Sequence, residues 1–169
     1  ETTGDNLVGA ISQILFVNNK IIVVDFDVSK TITVYDESGK FLNKIGKLGQ
    51  GPGEYAYLGH VILTPDKSTV VVVDMGSGNL KYFGLDGNFI KSEKFPFWFS
   101  RCEFINDNII AGHYSGGNMV QKNNVSYKPQ LVITDLKGNI LSSGFQSFYS
   151  KNFASTTFMP LLKFDNEVI

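Results

Sequence analysis

Hydrophobic positions along the chain fall into short runs separated by polar turns, and the runs come in pairs. Ile14-Leu15-Phe16-Val17, then Asn18-Asn19-Lys20, then Ile21-Ile22-Val23-Val24-Asp25 reads as strand, turn, strand. The unit returns as Val61-Ile62-Leu63-Thr64-Pro65-Asp66 with Val70-Val71-Val72-Val73-Asp74. It returns again as Cys102-Glu103-Phe104-Ile105-Asn106-Asp107 with Asn108-Ile109-Ile110-Ala111-Gly112-His113. A second hairpin follows each first one. Thr31–Asp36 turns through Glu37-Ser38-Gly39, Leu80–Phe83 through Gly84-Leu85-Asp86-Gly87, and Leu131–Asp135 through Leu136-Lys137-Gly138. The turn glycines Gly39, Gly87 and Gly138 are 48 and 51 residues apart, and Asp25 and Asp74 are 49 apart. Four strands recurring at this pitch match the ~40–50 residues of a propeller blade.

Within a unit the strands alternate as half-buried strands do: Thr31, Thr33 and Tyr35 fall on one face, Ile32 and Val34 on the other. The unbroken run Val70–Val73 is expected on an innermost strand, apolar on both faces. No window supports a long amphipathic helix. The predicted fold is all-β, a β-propeller of four-stranded antiparallel blades occupying residues 1–169 as one partial domain. Its blade units run at about 11–57, 58–99 and 100–155, with the start of a fourth at 157–169. Propellers carry about 4–8 blades. Three and a fraction would leave inter-blade faces open, which points to part of a larger ring or to a homodimer completing one.

Composition agrees with that reading: 15 Val, 14 Ile, 14 Phe and 7 Tyr stand against 4 Ala, and 17 Gly supply turns. With 43% hydrophobic and 18% charged residues the chain has the profile of a folded domain. The formal net charge of −1 lacks the clustered cations that phosphate binding needs, so no nucleic-acid partner is expected. No apolar run approaches the roughly 20 residues of a membrane-spanning helix. The opening Glu1–Asp5 has neither a basic nor an apolar leader segment, so a signal peptide is expected to be absent from this sequence or already removed.

Enzymatic signatures are sparse. His60 and His113 are the two histidines, and neither an H-E-x-x-H nor a G-x-S-x-G string occurs. Cys102, the single cysteine, starts an apolar strand and reads as a buried structural thiol. Asp25 and Asp74 precede polar loops, where an aspartate shapes the turn by binding backbone amides. The functional alternative is a ring of carboxylates suited to a cation such as calcium. In the third unit His113 is read as their counterpart. It opens a long polar insertion, Ser115–Pro129, on the loop face where a ligand site would lie; within it Asn124-Val125-Ser126 is a glycosylation sequon. Phe95-Pro96-Phe97-Trp98-Phe99-Ser100-Arg101 gathers four aromatics and an arginine at a blade junction, chemistry that stacks on sugars or side chains and binds carboxylates.

The most specific string is Gly46-Lys47-Leu48-Gly49-Gln50-Gly51-Pro52-Gly53-Glu54-Tyr55. Gly49, Gly51 and Gly53 are expected at positive φ in the link between blades, with Pro52 stiffening it and Glu54 accepting amide hydrogen bonds. The alternative is an anion nest, although the Lys-Ser/Thr ending of a phosphate loop is missing. With Val24-Asp25 and Tyr35-Asp36-Glu37-Ser38-Gly39-Lys40-Phe41-Leu42, this string resembles NHL-type repeats. More narrowly it resembles the six-bladed β-propeller family of exported, often lipid-anchored, Bacteroidetes proteins. The opening Glu1–Gly9 is similar to the way that family begins its first blade. The likeness is strong over residues 1–95 and fades over 98–155, where Lys94–Phe99 replaces the Gly-Pro-Gly-Glu string. It implies an extracytoplasmic location and a binding or scaffolding role, with no established activity.

The expected function is a non-catalytic module that binds a glycan, peptide or partner protein on the loop face. Asp27, Gln50, Glu54, Tyr55, Asn79, Trp98, Arg101, His113 and Tyr114 are the candidate ligand contacts. No catalytic residue, metal ligand or cofactor is assigned. The competing class is a metal-dependent hydrolase or lyase with a cation in the channel.

Overall fold

The computed structural model describes residues 8–114, 120–122, 125–127, 129–146, 163–164 and 167–168. Its strands are β1 (Gln13–Val17), β2 (Lys20–Asp25), β3 (Thr31–Asp36), β4 (Phe41–Lys44), β5 (Lys47–Leu48), β6 (Glu54–Tyr55), β7 (Leu58–Leu63), β8 (Thr69–Asp74), β9 (Asn79–Gly84) and β10 (Phe89–Lys94). They continue as β11 (Phe99–Asn106), β12 (Ile109–Tyr114), β13 (Val120–Lys122), β14 (Val125–Tyr127), β15 (Pro129–Asp135), β16 (Ile140–Gln146), β17 (Lys163–Phe164) and β18 (Glu167–Val168). Three four-stranded antiparallel sheets result, β1-β2-β3-β4, β7-β8-β9-β10 and β11-β12-β15-β16. These are the blades of a β-propeller, and the described residues form no helix. Two compact units divide the chain between Lys94 and Phe95, the first holding blades 1 and 2 and the second holding blade 3. Residues 1–7 of the opening Glu1–Gly9, most of the 115–129 insertion with Asn124 of its sequon, and most of the fourth unit lie outside the described residues. Of these segments the structure describes the hairpins β13-β14 and β17-β18.

Cross-strand pairing gives each blade a common grid. Gln13 pairs with Val24 and Ile14 with Val23 in blade 1; His60 pairs with Val73 and Val61 with Val72 in blade 2; Arg101 pairs with His113 and Cys102 with Gly112 in blade 3. Blades 1 and 2 pack face to face. Leu15, Val17, Ile22, Val24, Ile32 and Val34 from one sheet meet Val61, Leu63, Val70, Val72 and Phe83 from the other, with Ile45 and Tyr55 of the link between them. Gln13 pins the contact: its amide nitrogen donates to the Val61 carbonyl at 2.7 Å, and Val61 N–H donates back to Oε1 at 3.4 Å. Val70–Val73 lies on β8, which pairs with β7 on one side and β9 on the other. That run is therefore interior to its sheet rather than innermost, and its continuous apolarity reflects burial of both faces of a central strand.

The second hairpin turns are built alike. Asp36 accepts from the Ser38 and Lys40 amides, Asp86 from the Asn88 amide, and Asp135 from the Lys137 and Asn139 amides, each beside a glycine at positive φ. Such carboxylates shape the turn locally, which is why the turns were legible as Asp-x-x-Gly or Asp-Gly strings.

Candidate functional site

Loops joining β2 to β3, β8 to β9 and one blade to the next leave the blades at one end; the hairpin turns leave at the other. At the loop end Asp25 is 1% exposed and works as a staple. Its Oδ2 accepts from the Gly9 and Ala10 amides at 2.8 and 2.9 Å and from Ser29, while Oδ1 accepts from Asp27 and Val28. Asp74 repeats the device. It accepts from Ala56 and Tyr57 of the incoming link at 3.0 and 2.9 Å, and from Gly76, Ser77 N–H and the Ser77 hydroxyl of its own loop. Buried Lys81 stands 3.4 Å from Asp74 Oδ2 and also donates to the Glu54 carbonyl. Burial alone would raise the pKa of both aspartates. The combined donors, led by the Ser29 and Val28 amides at Asp25 and by the Ser77 hydroxyl and Ala56 amide at Asp74, outweigh it and hold both carboxyls below their ordinary range. The turn-shaping reading of these residues therefore accounts for their oxygens, and among the described residues no three His, Cys, Asp or Glu side chains converge as a cation site.

The glycine-rich link is an anion nest that holds its own anion. Glu54 Oε2 accepts from Gly51 N–H at 2.9 Å, and Oε1 lies 3.2 Å from Lys47 Nζ. The Gly51 amide first, then Lys47, lower the Glu54 pKa. Gly53 takes φ 73° and Gly46 φ 59°, whereas Gly51 lies outside the positive-φ region expected for it. Gly51 instead keeps room for the carboxylate, since a Cβ there would lie 3.2 Å from Glu54 Oε2.

The sequence-predicted contacts divide between the two units. In the first, Tyr55 is fully buried in the blade 1–blade 2 core with its hydroxyl donating to the Lys30 carbonyl at 3.1 Å, which corrects its assignment as a surface contact. Burial raises its pKa. Glu54 is folded into its own loop, while Gln50 is exposed beside it. Asp27 is exposed and receives the Ser12 hydroxyl at 3.3 Å, and Asn79 donates to the Ser77 carbonyl and hydroxyl. In the second unit Arg101 and His113 are cross-strand partners, and Trp98 is 57% exposed. The Ser100 hydroxyl and His113 Nδ1 lie 2.6 Å apart, and burial lowers the His113 pKa, favouring neutral imidazole.

Register also corrects the repeat. Asp74 pairs with Leu58 and Tyr114 with Phe99, each across a bulge one step beyond the His60–Val73 and Arg101–His113 pairs. The blade-3 counterpart of Asp74 is thus Tyr114, and His113 corresponds to Val73. Tyr114 packs edge-on against Phe97 and Phe99, ring centroids 6.1 and 6.4 Å away, so it too grips the incoming link. Cys102 is completely buried and its thiol pKa is pushed up by that burial, as a structural thiol requires.

Loop-end residues that sequence reasoning missed are Ile11, Val28 and Tyr57, which are 64%, 66% and 53% exposed. Their signal was faint: a large apolar residue in a loop ordinarily reads as core. Tyr55 and Tyr57 sit two apart, yet one is core and the other surface, because the strand ends at Tyr55 and the Asp74 staple redirects the backbone at Ala56 and Tyr57. At the turn end a basin of about 530 Å³ is lined by Phe16, Asn18, Asn19, Lys20, Glu37 and Lys67.

Solved structures share this architecture. A Bacteroides fragilis protein named as exported is 23% identical, with a TM-score of 0.73 over 87% of this chain and 40% of its own. A Bacteroides vulgatus member of the DUF4221 family is 16% identical, with a TM-score of 0.51 over 75% of this chain and 40% of its own. The chain thus spans about 40% of the length of these structures, and at such identity the likeness speaks for fold. No protein of curated function matches. A family model covers residues 1–169, and the chain belongs to the family it describes, the domain of unknown function DUF4934.

Proposed function

We propose that the loop end of blades 1 and 2 is a binding surface for a peptide segment or partner protein, with no bond making. One observation carries this reading: Ile11, Val28 and Tyr57 are exposed on loops whose backbones are fixed by Asp25 and Asp74. A stapled loop that presents apolar side chains has little ordering entropy left to lose on binding. Tyrosine is a frequent anchor at such surfaces. Asp27, Gln50 and Asn79 supply the polar rim of the proposed surface, and Trp98 offers an exposed aromatic in the second unit. The blades belong, on this reading, to a six-bladed ring of the NHL type in an extracytoplasmic, lipid-anchored setting. Supporting it are the Gly46–Tyr55 string and the fold shared with the B. fragilis protein named as exported.

The test is a binding screen of the chain against peptide and glycan arrays, repeated with Tyr57→Ala and Val28→Ala. The expected result is binding of peptides with aromatic or aliphatic residues, weakened at least about tenfold by either substitution, the order of loss typical of an interface anchor. Selective binding of glycans, or peptide binding indifferent to both substitutions, refutes the surface.

A further inference from the structure

Three hairpin turns of the first unit border one basin at the turn end. They are the first turn of blade 1 at Asn18-Asn19, its second turn at Glu37, and the first turn of blade 2 at Lys67. The basin measures about 530 Å³. Phe16, Val17 and Ile21 give it apolar lining, and Lys20 adds a second ammonium beside that of Lys67. An apolar surface for the body of a ligand, with a few polar groups on fixed backbone for its head, is the usual make-up of a small-molecule site of this size.

Lys67 sets this basin apart from a plain gap between turns. Its φ is 58°, in the left-handed region where a Cβ crowds the following carbonyl. Glycine takes the left-handed position in the second hairpin turns, at Gly39, Gly87 and Gly138. Asparagine, which tolerates it, takes it in the first turn of blade 1, where Asn18 and Asn19 have φ of 47° and 57°. The first turn of blade 2 puts a lysine there and braces the backbone round it. Lys67 N–H donates to the Thr64 carbonyl at 2.8 Å, and the Asp66 carboxylate accepts from the Thr64 hydroxyl at 2.6 Å and from Ser68 N–H at 3.0 Å. The turn alone would be better served by glycine; what lysine adds is a cation at the basin. Lys20 and Lys67 outnumber Glu37, and among the described residues neither lysine is held in an ion pair. We infer that the basin binds a small amphipathic carboxylate. Its apolar body lies against Phe16, Val17 and Ile21, its anionic head is met by the Lys20 and Lys67 ammonium groups, and the Asn18 and Asn19 side-chain amides supply hydrogen-bond donors. The inference is independent of the loop-end binding surface, which lies at the other end of the blades.

The experiment is calorimetric titration of the chain at pH 7 with 2-naphthoate, and with 2-naphthamide and acetate as its uncharged and bodiless counterparts. The expected result is saturable one-to-one binding of 2-naphthoate, binding of 2-naphthamide weaker by at least about tenfold, and no saturable binding of acetate. Lys67→Gly is the decisive variant. It should weaken 2-naphthoate by about tenfold while leaving the melting temperature unchanged or higher, because glycine relieves the left-handed backbone as the cation is removed. Lys67→Asn removes the same cation with a residue that also tolerates this φ, and the same loss is required of it should Lys67→Gly misfold. Tyr57→Ala, at the loop end, is the control and should leave the affinity unchanged. Absence of saturable 2-naphthoate binding overturns the inference, as does equal binding of 2-naphthamide or wild-type affinity in the folded Lys67 variants. Loss of binding in Tyr57→Ala overturns it too, because it places the ligand at the loop end.

Discussion

Blades 2 and 3 do the same structural task with different chemistry. In each, a strand from the preceding connection must be held against the loop end of the second strand. Blade 2 does it with Asp74, whose carboxylate gathers the Ala56 and Tyr57 amides and pairs with buried Lys81. Blade 3 places Tyr114 at that position, and its ring packs on Phe97 and Phe99, which themselves stack 5.4 Å apart at 6°. A carboxylate staple needs free backbone amides within reach and a loop that curls round it, hence Met75-Gly76-Ser77-Gly78. An aromatic clamp needs only apolar surface on the link, hence Phe95-Pro96-Phe97-Trp98-Phe99. The two links differ in sequence because their anchors differ. The consequence is that the blade 2 anchor is a carboxylate, which acid protonates, whereas the blade 3 anchor is a stack of aromatic rings, which acid leaves unchanged.

The largest expected effect follows from breaking the titrating anchor. Asp74→Ala leaves the Lys81 ammonium buried without its counter-charge and several amides unmatched, costing about 3–5 kcal/mol in urea unfolding. Asp74→Asn keeps one acceptor oxygen, serving the donors on one side only, and removes the charge, so its loss should be smaller than that of Asp74→Ala. Tyr114→Ala removes a half-buried ring and should cost roughly 2–3 kcal/mol, below the range for a fully buried aromatic. Tyr114→Phe should be close to neutral, because the ring contacts carry the clamp. If Tyr114→Phe proved as damaging as Tyr114→Ala, the clamp would be polar and the comparison would fail.

Acid sharpens the contrast. Asp25 and Asp74 have folded pKa values below their unfolded ones, so their contribution is complete above an unfolded carboxyl pKa of about 3.9 and is lost as pH falls below it. The loop end of blades 1 and 2 should lose stability progressively as pH falls from about 3.9 towards the lowered folded values, while the Tyr114 ring keeps its contacts. A smaller effect than those of Asp74→Ala and Tyr114→Ala is expected at Gly53. Its φ of 73° suits glycine, and a Cβ would lie 3.2 Å from Phe89, so Gly53→Ala should cost about 1–2 kcal/mol by thermal or urea melts. A neutral Gly53→Ala would mean that the link relaxes freely and does not fix the approach of blade 2.

How much of this was legible beforehand depends on the range of the interaction. Strand pairs, second-hairpin turns and the repeat pitch are local, so alternation and Asp-Gly spacing reveal them directly. The Asp25 and Asp74 staples were half legible: the turn-forming part lies within four residues, but the bonds to Gly9, Ala10, Ala56 and Tyr57 cross 15 to 18 residues. The Tyr114 equivalence was hidden by bulges at Phe99/Arg101 and Leu58/His60, which shift register without changing composition. Tyr55 was misplaced because a tyrosine following Gly-Pro-Gly-Glu looks like a loop residue, whereas the nested Glu54 carboxylate turns the chain so that Tyr55 enters the core.

The most direct measurement is amide hydrogen exchange by mass spectrometry at pH 7 and pH 2, corrected for intrinsic rates. The prediction is that on acidification peptides covering residues 9–12, 26–29 and 56–57 lose protection. Those covering 95–99 keep theirs. Equal loss across both sets, or loss confined to residues 95–99, would contradict the division into carboxylate and aromatic anchors.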